Sequence, residues 1–253
     1  MAKPERLDKI LAHMGVGSRS EIRRLAKQGA LTVNGHAAKD PGMKINTDVD
    51  QLKVNEQDII YKPFIYLMMN KPQGVISATE DKRDRTVIDL LSEGERHYEP
   101  FPVGRLDKDT EGLLLLTNDG KLSHNLLSPK KHVPKTYYAK VEGHVGGEDV
   151  HAFSRGVTLD DGYVTMGARL RVLSVDLERS SPCSEIELTI MEGKFHQVKR
   201  MFQAVGKEVV YLKRISMGSL KLDEHLTLGA YRELTAEELE ALQGKLNGES
   251  EQD

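Results

Sequence analysis

Leu7, Ile10, Leu11 and Met14 recur at the i, i+3, i+4, i+7 spacing of one helix face, and Gly15 stops the run. Ser18 and Glu21 then form the signature of a capping box. It opens a second helix with Ile22 and Leu25 on its apolar side and Gly29 at its end. Leu31-Thr32-Val33, the turn pair Asn34-Gly35 and the extended stretch that follows complete a helix-helix-hairpin unit of about 60 residues. From about Tyr61 the pattern changes to strands with short helices between them. Residues 65–69 and the four leucines at 113–116 are buried-strand runs, whereas Glu185, Glu187 and Thr189 alternate with Ile186, Leu188 and Ile190 as a half-buried strand does. Arg169 and Arg171 alternate with Leu170 and Val172 in the same way, and residues 137–141 and 209–212 are rich in β-formers. Helices are predicted at 87–91, 122–127, 150–153 and 196–205. The last of these turns Val198, Met201, Phe202 and Val205 to the core and His196, Lys199, Arg200 and Gln203 away. A second capping box, Thr235 with Glu238, opens a closing helix that should end near Gly244. No βαβ rhythm appears. The chain therefore reads as α+β: a small N-terminal helix-helix-hairpin module, then a mixed, largely antiparallel sheet with peripheral helices. The domains implied are 1–60, 61–235 and a C-terminal helix with acidic tail at 236–253.

Charge sharpens this picture. The 253 residues carry a net charge of -3, which by itself argues against a nucleic-acid partner. Residues 1–39, however, hold eight Lys/Arg against three acids, while residues 233–253 hold seven acids and one lysine. Arg19, Arg23 and Lys27 fall at i, i+4 and i+8 and form a basic ridge suited to phosphates spaced along a backbone. No run approaches the roughly 18 apolar residues needed to span a bilayer, and the first residues lack a signal-peptide pattern. Cys183 is the sole cysteine, so neither an intramolecular disulfide nor a cysteine-rich zinc site is expected. These features predict a cytoplasmic protein without a membrane partner.

Candidate chemistry concentrates in residues 104–120, GRLDKDTEGLLLLTNDG, where an acidic loop runs into the leucine strand. Pro100, Pro102 and Gly104 exclude a helix there, so Arg105, Leu106 and Asp107 should lie on a loop held by a rigid scaffold. On residue types alone this could be a solvated loop with local ion pairs. A calcium loop fails because its twelfth position is Asn118, which cannot supply a bidentate carboxylate.

The same segment resembles the signature of pseudouridine synthases, specifically the RsuA family that modifies ribosomal RNA. Asn70-Lys71-Pro72-Gln73-Gly74-Val75 resembles that family's first motif, Lys135-Thr136-Tyr137 the segment with its active-site tyrosine, and residues 192–201 the segment with its basic partner. The N-terminal unit resembles the αL RNA-binding module of a small-subunit ribosomal protein and tyrosyl-tRNA synthetases. The resemblance implies Asp107 as catalytic aspartate, Lys199 as the cation that keeps it ionised when an uncharged base fills the cleft, and Tyr137 as the ring that holds the base. It implies RNA contacts from Arg6, Lys9, Arg19, Arg23, Arg24, Lys27, Arg105, Lys135 and Arg200. The family reaction detaches a uracil from its ribose, turns it, and rejoins it through carbon 5. It consumes nothing, so no metal, redox or other cofactor is expected. His196 has no neighbour at metal-ligand spacing and reads as a hydrogen-bonding or packing residue. The expected partner is ribosomal RNA, and residues 128–132 resemble the small-subunit (16S) branch. The alternatives are a large-subunit (23S) enzyme, a non-catalytic RNA-binding assembly factor, or a metal-dependent hydrolase built on Asp107, Asp109 and Glu111. A monomer is expected.

Overall fold

The computed structural model describes residues 3–176 and 182–248, so the tip of the acidic tail lies outside the described residues. The chain divides into two compact units. The first comprises residues 1–65 together with 92–100, and the second comprises 66–91 and everything from Phe101 onward.

In the first unit, strand β1 (Glu5–Arg6) leads into helices α1 (Leu7–His13) and α2 (Arg19–Lys27). Leu7, Ile10, Leu11 and Ile22 are fully buried, as their helical spacing predicts. The capping box forms: the Ser18 amide donates to Glu21 Oε2 at 2.7 Å and the Glu21 amide donates to Ser18 Oγ. Strands β2 (Leu31–Val33) and β3 (His36–Ala37) pair across Asn34 and Gly35, whose φ values of 53° and 76° are those of a hairpin turn that only such residues adopt readily. The extended stretch resolves into β4 (Lys44–Ile45), which pairs with β1, and β5 (Leu52–Val54) and β6 (Gln57–Ile59), which complete a four-stranded sheet. Residues 92–100, with the short helix α3 (Glu93–Arg96), belong to this unit rather than to the region 61–235. The Tyr98 ring meets His13 edge-on at 5.1 Å, a non-local contact that no sequence periodicity announces.

The second unit is built on a nine-stranded sheet among the described residues. Its strands are β7 (Tyr66–Lys71), β8 (Phe101–Pro102), β9 (Glu111–Thr117), β10 (Lys135–Glu142), β11 (Arg169–Asp176), β12 (Cys183–Ile190), β13 (Glu208–Met217), β14 (Leu220–Lys221) and β15 (Tyr231–Glu233). The order along the sheet is β11-β12-β10-β13-β9-β7-β15. Every pairing is antiparallel except β13 with β9. That parallel junction depends on Gly112: a Cβ there would stand 2.2 Å from the Arg214 carbonyl oxygen. Helices α4 (Gly120–Leu127), α5 (Gly147–Arg155), α6 (Gln197–Ala204) and α7 (Ala236–Gly248) surround the sheet. Strands β7 and β9 are buried along nearly their whole length, which is why they read as unbroken apolar runs, whereas β12 alternates. The expected helix at 87–91 is a single 3-10 turn, Ile88–Leu90. The closing helix runs past Gly244, and it is not a separate appendage: Leu242 is 1% exposed in the core with Leu115, Leu122 and Met217. Among the described residues no helix is long and apolar enough to cross a membrane.

Candidate active site

The loop entering β9 is strapped down before it carries any chemistry. Lys71, at the end of β7 and fully buried, donates from Nζ to the carbonyls of Pro72, Asp107 and Thr110 at 2.9–3.0 Å. Ser77 Oγ donates to the Leu106 carbonyl and accepts from the Leu106 amide, both at 3.0 Å, and the Gly74 amide donates to the Lys108 carbonyl at 2.8 Å. The segment 70–77 thus clamps residues 106–110 from one side. Burial pulls the Lys71 ammonium down to about 8, although Asp107, Asp109 and Glu111 oppose the shift. A cation that costs this much desolvation is held here because it gathers three carbonyl oxygens that a polar loop would otherwise leave unpaired.

The clamp presents Asp107 to helix α6. Lys199 Nζ lies 3.4 Å from Asp107 Oδ2, and His196 Nε2 lies 3.5 Å from the other carboxylate oxygen. Lys199 also meets Asp109 Oδ1 at the shorter distance of 2.6 Å, so one ammonium serves two carboxylates. Burial alone would raise the Asp109 carboxyl, but the hydrogen bond and charge of Lys199 outweigh it and hold the group below the usual carboxylate range. His196 adopts a left-handed backbone (φ 48°) just ahead of α6, which brings its ring under Phe195 in a stack of 3.7 Å. Phe195 itself is 75% exposed beside the cleft. Glu111 does not join the acidic pair: its Oε2 accepts from Tyr211 Oη at 2.6 Å. Among the described residues no group of three or more His, Cys, Asp or Glu is placed to hold a metal ion.

Behind Asp107 opens a cavity of about 130 Å³, and Thr110, Lys135, Tyr137, Leu212 and Arg214 help to line it. Tyr137 on β10 stands opposite Arg214 on β13, so both side chains face the same side of the sheet. Tyr137 is 8% exposed and walls the cavity with Leu212 and Ile190. Arg214 escaped the sequence reading. In the sequence it is one more charged residue of a strand, and only its pairing partner reveals which face it takes.

Two expected RNA contacts have other partners. Lys135 is buried, donates to the Val133 carbonyl at 3.0 Å and sits at the cavity floor rather than on an accessible face. Burial and the charge of Arg214 pull its ammonium down to about 8. Arg200 is held between Asp160 and Asp161, with the Asp161 contact at 2.7 Å, and its side chain is only 14% exposed. A guanidinium neutralised by two carboxylates has little left for phosphate. Arg105 is exposed at the cavity rim. In the N-terminal unit Arg19, Arg23, Arg24 and Lys27 are exposed along α2, whereas Arg6 pairs with Asp8 at 2.8 Å and Lys9 with Glu5 at 2.9 Å.

Residues 65–204 match the family model described as RNA pseudouridylate synthase, and residues 5–50 match that of the S4 domain. An uncharacterized RNA pseudouridine synthase of Bacillus subtilis (strain 168) is 54% identical over 94% of this chain and 98% of its own length. The ribosomal large subunit pseudouridine synthase B of that organism is 42% identical over 94% of this chain and 95% of its own. The ribosomal small subunit pseudouridine synthase A of Vibrio vulnificus (strain CMCP6) is 36% identical over 94% and 99% respectively. A crystal structure of a pseudouridylate synthase matches with a TM-score of 0.65 at 35% identity, covering 94% of this chain and 99% of the other.

Proposed function

Because the chain belongs to the RNA pseudouridylate synthase family, with an S4 domain ahead of its catalytic region, we propose that it isomerises a uridine of ribosomal RNA to pseudouridine with Asp107 as the catalytic carboxylate. The observation that carries this reading is the pairing of Asp107 with Lys199 at 3.4 Å in front of the cavity that Tyr137 walls. The clamp by Lys71 and Ser77 fixes the backbone on which Asp107 stands, so the carboxylate meets the sugar or base of an extruded nucleotide without having to be ordered first. Lys199 offers its positive charge to the Asp107 carboxylate when a neutral base displaces water from the cleft. Tyr137 holds the ring. Extruding the base costs a few kcal/mol, which contacts elsewhere on the RNA must offset; the α2 ridge of Arg19, Arg23, Arg24 and Lys27 supplies such contacts. Phe195, exposed and stacked on His196, adds a surface for a neighbouring base.

Residues 128–132 favour small-subunit RNA as the substrate. The large-subunit reading draws on the 42% identity to the large subunit synthase of Bacillus subtilis. The enzyme acts in the cytoplasm as a single chain and needs no cofactor. Mapping pseudouridines in both ribosomal RNAs from cells with and without this protein tests the proposal: one site should vanish with the protein, and its position names the subunit. If no site changed in either RNA, the proposal would fail.

A further inference from the structure

Arg214 heads the fully buried side chains by size, at 2% exposure, and it has no carboxylate partner among the described residues. Among the described residues its guanidinium makes one hydrogen bond, from Nε to the Leu113 carbonyl at 2.8 Å, and Nη2 has no partner. Thr110 is 1% exposed and its hydroxyl also has no partner among the described residues. These two unpaired groups lie on different strands and loops, yet both line the cavity that holds Asp107 and Tyr137. Lys135, a second desolvated cation, lines it as well, and Arg214 and Lys135 repel one another there. A buried cation without a counter-charge is destabilising, and a fold retains one where a ligand completes it.

We propose that Arg214 and Thr110 bind the polar edge of the extruded uracil, Arg214 donating to a carbonyl oxygen and the Thr110 hydroxyl meeting the N3 side of the same edge, with Lys135 adding positive potential. This rests on Asp107 being the catalytic carboxylate of the same cavity. When the bond from N1 to C1′ breaks, its electron pair stays with the base and spreads onto O2 and O4. Donors to those oxygens therefore bind the detached base more strongly than the uridine, which is the condition for accelerating the step. When the C5 pair forms the new bond to C1′, the proton on C5 leaves, N1 takes up a proton, and the charge on the oxygens is discharged.

The edge has a further property that suits a fixed pair of ligands. A half-turn of uracil about the line from N3 to C6 exchanges N1 with C5 and O2 with O4. The base then presents the same acceptor, donor, acceptor sequence to the protein. Arg214 can bond O4 before the turn and O2 after it, or the reverse, without moving.

The test uses the full-length chain with small- and large-subunit ribosomal RNA transcripts carrying tritium at uridine C5, with tritium release, RNA retention and thermal unfolding measured together. Arg214→Met should lose at least ~100-fold in turnover, retain RNA within about twofold because phosphate contacts dominate affinity, and unfold no earlier than the native protein because an unpaired buried charge has gone. Thr110→Val should lose about 10-fold at unchanged stability. Transcripts built with 2-thiouridine or 4-thiouridine give a readout that a structural role would not move. Both sulfurs should slow the native enzyme, since each oxygen is bonded in turn, and Arg214→Lys should be less sensitive to both. Native turnover in Arg214→Met would overturn the inference. So would early unfolding of Arg214→Met combined with native sulfur sensitivity in Arg214→Lys, since that combination marks a structural strut. Asp107→Asn is run alongside: if it keeps turnover, the reading of the cavity itself fails, whereas a dead Asp107→Asn beside an active Arg214→Met sinks this inference alone.

Discussion

The cations of helix α2 and those around the cavity are chemically alike and physically opposite. Arg19, Arg23, Arg24 and Lys27 stand in water, where each is cheap to keep and, in the proposed reading, adds to RNA affinity through phosphate charge. Lys71, Lys135 and Arg214 are buried on backbone carbonyls, where each carries a desolvation cost and acts through the position of a few atoms. Surface charge is therefore suited to affinity that any RNA sequence can satisfy. Buried charge is suited to holding one loop or one base in one place.

The comparison breaks first at Asp107. Asp107→Asn should abolish detectable turnover, a loss of ~10⁴-fold or more, while RNA is still bound. Asp109→Asn should keep turnover within about 10-fold, because Lys199 then turns wholly to Asp107; equal inactivity of the two variants would mean the acidic pair works as a unit. Lys199→Met, which keeps an apolar stem on the half-exposed side of α6, should cost ~10³-fold with an unchanged unfolding midpoint. Near-native turnover would return Lys199 to the class of solvated helix charges.

Lys71→Met sharpens the contrast, since it removes a buried cation that has partners. Three carbonyls lose their donor, so the variant should be destabilised by about 1–3 kcal/mol by denaturant titration, with turnover falling as the Asp107 loop loosens. Arg214→Met has the opposite sign in stability because its guanidinium is largely unpaired. On the surface, replacing Arg19, Arg23 and Lys27 together with Ala should reduce the slope of log affinity against log salt by about 2–3 and leave turnover on saturating RNA unchanged. An unchanged slope would remove the ridge from the RNA-binding surface.

The contrast also reaches the pH dependence of stability. Lys71 and Lys135 are both held at about 8 in the folded chain, against an ordinary 10.5. Between these values the unfolded chain binds more protons, so both groups make stability rise with pH through that window. Lys135→Met should flatten the rise, and urea titrations at pH 8, 9 and 10 measure it; a steeper rise in the variant would contradict the burial of Lys135.

What depends on neighbours in the chain was written in the sequence. The spacing of Leu7, Ile10 and Leu11, the capping boxes at Ser18 and Thr235, the Asn34-Gly35 turn and the alternation along β12 each require only the period of a helix or strand and the chemistry of its ends. The exposed cations of α2 were legible for the same reason, whereas the loop of Asp107 could be told from a solvated acidic loop only by its resemblance to a family signature. What the tertiary structure decided is every relation across long separations. Lys199 reaches two carboxylates 90 residues or more away because α6 packs where the β9 loop ends. Lys135 is turned inward and Arg200 is neutralised by Asp160 and Asp161, although both looked like surface cations in the sequence. Residues 92–100 return to the first unit, where Tyr98 meets the His13 ring edge-on and donates to Met14 Sδ. Arg214 gains its place only from pairing with Tyr137 on one side and Gly112 on the other. Periodicity specifies which face of an element is apolar; it carries no information on which distant element that face will meet, and the charges that carry the chemistry are placed by that meeting.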